Sequence, residues 1–266
     1  MPTTLSTRLC AVAAALLLSM AGTAARAEAD GAIITDRPDI SESSEVVGAG
    51  RFQLETSVEW ARDGRGAAAV RERSFPTLLR IGLSPTWELR IETELRVRER
   101  TALGGRSGTP DTAVGLKWHV QDGDDDDFVP SVAALLHFDL PSGSSGFKGS
   151  GVRPSLRVVG EWELPGGWSV GAMPGIGSLS DANGQRYTAG SLAVTVGKEF
   201  SAEWRGYVEW SLDQWASRRH GGTIHSADAG VAWLVNPDLQ FDASVARGIS
   251  GAATDWRWGL GVSVRY

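Results

Sequence analysis

Only one cysteine, Cys10, occurs in the 266 residues, and only three lysines, Lys117, Lys148 and Lys198. Cys10 falls in an N-terminal stretch that reads as a signal peptide, residues 1–27. Arg8 gives it a positive start, "AVAAALLLSMAG" is an apolar run too short to span a bilayer, and "ARA" at 25–27 is a small-x-small cleavage site. Removal of that leader leaves no cysteine, so disulfides do not hold this exported chain together. Beyond it no run of about 20 apolar residues remains, which excludes a transmembrane helix. It does not exclude barrel strands, whose alternation scores poorly on hydropathy. Nor does any stretch of 28–266 carry a convincing helical period. Loss of Arg8 and Arg26 takes the 26 basic residues to 24 against 32 acidic ones, a net of −8. Nucleic acid is therefore not an expected partner.

What the chain has instead is alternation. In "WELRIETELRVRER", residues 87–100, Trp87, Leu89, Ile91, Thr93, Leu95 and Val97 alternate with Glu88, Arg90, Glu92, Glu94, Arg96 and Arg98. Side chains of a strand point to opposite faces in turn, so this is a strand with one apolar and one charged face. The same pattern recurs at 52–60, 75–83, 112–120, 132–140, 156–164, 168–176, 192–196, 204–212, 229–235, 239–245 and 256–266. Twelve strands follow, with apolar exceptions on the polar face at Leu78, Leu135 and Val159. The connections alternate as well. "SPT", "PGG", "SAE" and "NPD" are tight, whereas "RDGRGAAAVRER", "RTALGGRSGTP", "PSGSSGFKGSG" and "QWASRRHGGT" are long. One rim of short turns and one of long loops is the arrangement of outer-membrane barrels, short turns facing the periplasm.

The tryptophans decide which face meets lipid. Trp87, Trp118, Trp162, Trp168, Trp204 and Trp233 lie on the apolar face beside short turns, and Trp60 and Trp256 lie on it beside long loops. Two rings of this kind are the aromatic belts of two lipid–water interfaces, and only Trp210 and Trp258 fall mid-strand by the pattern. Energetics point the same way, because an outward arginine near mid-membrane costs about 2–4 kcal/mol. The predicted fold is an all-β, up-and-down antiparallel transmembrane barrel over 51–266, with outer-membrane lipid around it. The rival fold, a soluble periplasmic β-sandwich that binds a ligand, would turn the apolar faces inward. The final strand, which barrel-insertion machinery is expected to recognise, ends on an aromatic residue, Tyr266, as outer-membrane barrels commonly do.

The segments "ITDRPDISESSEVVGAGRFQLETSVEW" (34–60), "LLRIGLS" (78–84), "FDLPSG" (138–143) and "GLGVSVRY" at the end resemble an outer-membrane family. It is the family named for the meta-cleavage pathway of phenol degradation. The resemblance spans nearly the whole mature chain, and Asp-Arg-Pro-Asp ahead of the first strand is its most specific part. It implies a barrel and a transporter or channel in the bacterial outer membrane; it assigns no functional residues.

With the charges inside, the expected lumen lining includes Arg80, Glu88, Arg90, Glu92, Glu94, Arg96, Arg157, Glu161, Arg205, Glu209, Asp242 and Arg257, with Glu55, Lys117 and others beside them. They could line an open pore or interlock and fill it, since twelve strands lie between a filled barrel and a wide channel. Residues 28–50 are either a periplasmic tail or a lumen plug. Ile33, Ile34, Pro38 and Ile40 offer apolar groups to bury, and Asp36, Arg37 and Asp39 can pair with the lining. The expected activity is passive passage of small molecules, hydrophobic or aromatic compounds among them. A structural or enzymatic barrel with a blocked lumen is the alternative. No catalytic set, metal site or cofactor is expected. By the pattern none of His119, His137, His220 and His225 lies on the lipid face, the spacing of His220 and His225 with Asp213 and Asp228 matches no ligand motif, and "DGDDDD" misses the calcium-loop pattern.

Overall fold

Alternating strands are stable together only where both faces are occupied and no edge is left open, and closure into a barrel meets both conditions. The structure, a computed structural model, describes residues 31–181, 184–217 and 220–266. The expected signal peptide, 1–27, lies outside them. The hydrogen-bonded stretches in chain order are Phe52–Asp63 (β1), Val70–Ser74 (β2), Pro76–Gly82 (β3), Trp87–Glu94 (β4), Val97–Thr101 (β5), Gly104–Gly108 (β6), Thr112–Gln121 (β7) and Ser131–Leu140 (β8). They continue with Arg153–Leu164 (β9), Trp168–Ser180 (β10), Arg186–Glu199 (β11), Trp204–Trp215 (β12), Ile224–Asn236 (β13), Leu239–Gly248 (β14) and Trp256–Arg265 (β15). β2 and β3, β4 and β5, and β6 and β7 are each one strand with a break, so the wall has twelve antiparallel strands. β15 pairs back onto β1, from Gln53↔Arg265 to Arg62↔Trp256, and the barrel is closed.

The burial pattern is that of a protein turned inside out. Arg80, Glu55, Glu88 and Lys117 are fully buried, while Leu116, Leu136, Phe138, Leu156 and Leu260 are exposed on the outer surface. A soluble sandwich would show the reverse. The tryptophans form the two expected rings. Trp87 stacks on Trp118 at 5.6 Å and Trp204 on Trp233 at 5.8 Å near the short turns. At the other rim Trp258 stands opposite Trp60 and stacks on Trp256 at 6.1 Å. Trp258, mid-strand by the sequence pattern, thus joins the outer ring, whereas Trp210 stays mid-strand, opposite Val194 and Ala227.

Two features depart from the sequence reading. Much of the supposed loop sequence is strand. "RTALGGRSGTP" folds into the β5–β6 hairpin, and "RDGRGAAAVRER" contains a single 3-10 turn and β2. The second departure concerns Arg96. Pairing runs Pro76↔Glu94 lower on the wall and Arg73↔Arg98 higher up, so three steps on β2–β3 match four on β4–β5. The extra residue at Leu95–Arg96 is a bulge, and a one-residue bulge reverses the faces beyond it. Val97 consequently points inward, at 4 % exposure, and Arg96 and Arg98 point out. Arg96 donates to Ser107 Oγ at 3.1 Å and does not line the lumen.

The apolar exceptions have a packing role. Leu135 and Val159 face inward with Ala133, Met173 and Ala193 as a buried apolar patch on the lumen wall, and Ile40 packs against it. Leu78 borders a cavity on the outer side.

Candidate functional site

Residues 31–50 run through the interior. Ile33 N–H donates to Pro237 O at 2.7 Å and Arg265 donates to Gly31 O at 3.0 Å, which holds the entry beside the short turns. The segment returns to the wall where Gly50 N–H meets Gly82 O at 2.9 Å. Gly82 has to be glycine there, because a Cβ would stand 1.6 Å from the Gly48 carbonyl oxygen. Between these ends the lumen charges divide the work. Wall carboxylates accept backbone N–H groups of the segment, and wall cations donate to its carbonyls and carboxylates.

Four acids provide the acceptors. Glu55 accepts from Asp36 N–H at 3.1 Å, and Glu209 from Ile40 and Ser41 N–H at 2.9 and 2.7 Å. Glu161 accepts from Ser44 N–H at 2.5 Å and Glu88 from Val47 N–H at 3.0 Å. Buried backbone donors need such partners, and an irregular segment has no ladder of its own to supply them. Among the cations, Arg80 donates to the Ile34 and Glu45 carbonyls at 3.0 and 2.7 Å, and Lys117 to the Ser43 carbonyl at 2.8 Å. Arg205 donates to Thr35 Oγ1 at 2.8 Å.

Asp36 is the centre of this network. Its carboxylate meets Arg90 at 2.5 Å, Lys117 at 2.9 Å and Arg80 at 3.5 Å, and it accepts from Ser43 N–H at 2.9 Å. Burial alone would raise its carboxyl, but Arg80, Lys117 and Arg90 outweigh that and hold it well below the usual carboxylate range. Arg37 reaches the other wall, to Asp242 at 3.3 Å and Glu59 at 3.7 Å.

Of the expected lining, Arg80, Glu88, Arg90, Arg157, Glu161, Arg205, Glu209 and Asp242 therefore touch the 31–50 segment directly. Glu92 bonds Arg90 and His137 at 3.3 and 2.8 Å. Glu94 borders the outer cavity and Arg257 sits opposite Ala61 on an inward row. Glu42 was missed by sequence reasoning: it bridges Arg90 at 2.8 Å and Arg157 at 2.7 Å. Its only signal in the sequence was its place in a segment offering other groups to bury. Glu42, Glu92 and His137 stand close enough together to hold a metal ion. The Arg90 guanidinium already lies between them, with its Nε 3.3 Å from His137 Nε2, and serves as the cation there.

The segment divides the interior. On the short-turn side lies a cavity of about 420 Å³ bordered by Thr35, Ser44, Glu161 and Arg205. On the long-loop side lie cavities of about 260 and 340 Å³. Asp39 borders both sides and Ile40 both outer cavities.

Burial pushes the Asp39 carboxyl well above the usual carboxylate range; Arg205 opposes this, and Glu209 and Glu161 add repulsion. A raised carboxyl costs stability above its folded pKa, and that cost vanishes below the ordinary value of 3.8. Asp39→Asn is accordingly expected to raise the melting temperature at neutral pH and to match wild type in acid. Thermal unfolding at the two pH values checks it, and equal melting at both contradicts the assignment.

Solved structures share this architecture. An outer membrane channel from Pseudomonas putida F1 superposes with a TM-score of 0.63 at 11% identity, covering 84% of this chain and 98% of that one. The NanC porin gives 0.53 at 13% identity and the KdgM porin 0.52 at 11%, each match covering 80% of this chain and 98% of the porin. At such identities the likeness shows the fold, that of an outer-membrane barrel. No curated protein matches the chain in sequence. By its sequence over residues 35–266, the chain belongs to the family described as "Putative MetA-pathway of phenol degradation".

Proposed function

We propose that the protein is a bacterial outer-membrane channel for passive passage of small molecules, with residues 31–50 as a plug that gates the lumen. The carrying observation is the irregular segment held between two vestibules by charged side chains of the wall. A barrel that only had to be filled could use apolar or paired side chains from its own strands. This one instead holds a chain segment by hydrogen bonds and ion pairs, which can be exchanged for water. The likeness to channels and porins supports the reading, and so does a lumen whose polar groups seat a peptide segment.

The substrate class follows from the outer cavity of about 260 Å³, where Ile40, Met173 and Ala193 face Arg157 and Asp213. An apolar floor with charged groups at its border suits small compounds with one apolar face and one polar substituent. The family description, with its reference to phenol degradation, agrees with aromatic compounds of that kind.

A reversible lock tests the gate. Ser44 Oγ on the plug donates to Ser131 Oγ on the wall at 2.8 Å, close enough for paired cysteines at these positions to form a disulfide. The mature chain has no other cysteine to interfere. With Ser44→Cys and Ser131→Cys, oxidised protein in a planar bilayer is expected to conduct little, and reduction to restore wild-type events. Equal conductance in both states would mean passage around a fixed plug. Silence of the wild-type protein would mean a blocked barrel.

A further inference from the structure

The barrel wall continues past the outer aromatic ring as β1, β2, β5 and β6, and there the charges are sorted by face. "VRER" occurs twice, at 70–73 and 97–100, and the two copies pair antiparallel as Arg71↔Arg100, Glu72↔Glu99 and Arg73↔Arg98. Opposite residues share a face, so both glutamates look inward and all four arginines look outward. Arg62 of β1 extends the upper row, opposite Arg71.

Arg62, Arg71, Arg73, Arg98 and Arg100 are all exposed, and among the described residues none makes a side-chain hydrogen bond or ion pair. Elsewhere Arg37, Arg80, Arg90, Arg106, Arg153, Arg157, Arg247 and Arg265 each reach a carboxylate. Like charges directly opposite on a sheet destabilise it. A pairing of this kind, made twice and extended once, calls for an anion from outside the chain.

The height of the rows says which anion. Arg73 shares a row with Trp60 and Trp258, and its guanidinium lies 5.8 Å from the Trp60 ring and 5.0 Å from the Phe75 ring. That row is the lipid–water interface, and Arg62, Arg71 and Arg100 stand one row farther out, level with Trp256. Side chains there reach the headgroup layer of the outer leaflet.

We propose that this arginine face docks the phosphate groups of phosphorylated glycolipids in the outer leaflet. Guanidinium forks match phosphate oxygens in pairs, and bound phosphate removes the repulsion between Arg71 and Arg100. The inference rests on the outer-membrane channel proposed above, with its short turns in the periplasm and its long loops outside. A cysteine at Leu103, the fully exposed hairpin tip, reports that orientation separately by labelling on intact cells.

The test titrates the purified full-length barrel in neutral detergent with bisphosphorylated lipid A, its dephosphorylated form and inorganic phosphate. Arginine near an anionic surface contributes about fivefold in affinity, so R71Q/R100Q is expected to bind lipid A about thirtyfold more weakly. R71K/R100K keeps most of the affinity, and R106Q, whose arginine already pairs with Glu99, keeps all of it. The glutamine variant loses a repulsion and is expected to fold. Undiminished binding by R71Q/R100Q overturns the proposal, as does equal binding of the dephosphorylated glycolipid. Saturation by inorganic phosphate at the same concentration makes it an anion site only and also overturns the lipid assignment.

Discussion

Asp36→Ala is expected to destabilise the barrel by about 3–5 kcal/mol, the cost of removing one partner from a buried ionic cluster. Three cations converge on that carboxylate, and Arg80, Arg90 and Lys117 are all buried. Arg80 and Arg90 keep Glu42, Glu55 and Glu88, but Lys117 loses the carboxylate of its ion pair and is left a buried ammonium held by backbone carbonyls. The segment also loses its tie to β3, β4 and β7, and conductance is expected to rise as the plug loosens. Asp36→Asn keeps the shape and the Ser43 hydrogen bond and should fall between. The pH dependence carries a sign as well. Because the Asp36 carboxyl is depressed, its contribution is complete above the ordinary carboxylate pKa and is lost only as pH falls through the lower folded value. Wild type should therefore keep its plug through mild acid. Unfolding in lipid by denaturant, with single-channel recording alongside, measures both effects; unchanged midpoint and unchanged conductance in Asp36→Ala would remove Asp36 from the centre of the lock.

The sequence displays the barrel because lipid and lumen impose opposite demands on successive residues. Phe52 to Trp60 or Trp204 to Leu212 cannot be read with any other period. The candidate site was legible only as far as that alternation reaches: it turns Arg80, Glu88, Arg90, Glu209 and Asp242 inward, but says nothing of what they meet. Their partners are largely backbone groups of 31–50, which carry no letter in the sequence, and Glu42 lies in an irregular segment where parity has no meaning. Arg96 misleads for the opposite reason. The letters "LRVRER" go on alternating through the bulge, while register against β2 and β3, a long-range property, reverses the faces. Loop sequence that pairs beyond the membrane is hidden likewise, since arginine and glycine do not read as strand until a partner is in place.

Ile91→Arg is the decisive test of which face meets lipid. Ile91 lies opposite Leu79 on one side and Val114 on the other, four residues from Trp87 near the short turns and seven from Arg98 at the outer interface. A guanidinium there enters hydrocarbon with no carboxylate on its face, at a cost of about 2–4 kcal/mol at the midplane. Snorkelling is limited, because either interface is several residues away along the strand. The neighbouring Glu92→Gln changes only the lumen face: it weakens contacts to Arg90 and His137, and Arg90 keeps Asp36, Glu42 and Glu88. Its expected loss is about 1 kcal/mol, in the range of a single partly hydrated ion pair. Folding into lipid vesicles, followed by the shift in gel mobility between heated and unheated samples, ranks the two. If Ile91→Arg inserts as readily as wild type while Glu92→Gln fails, the charged face meets the bilayer and the barrel has been read with its two sides exchanged.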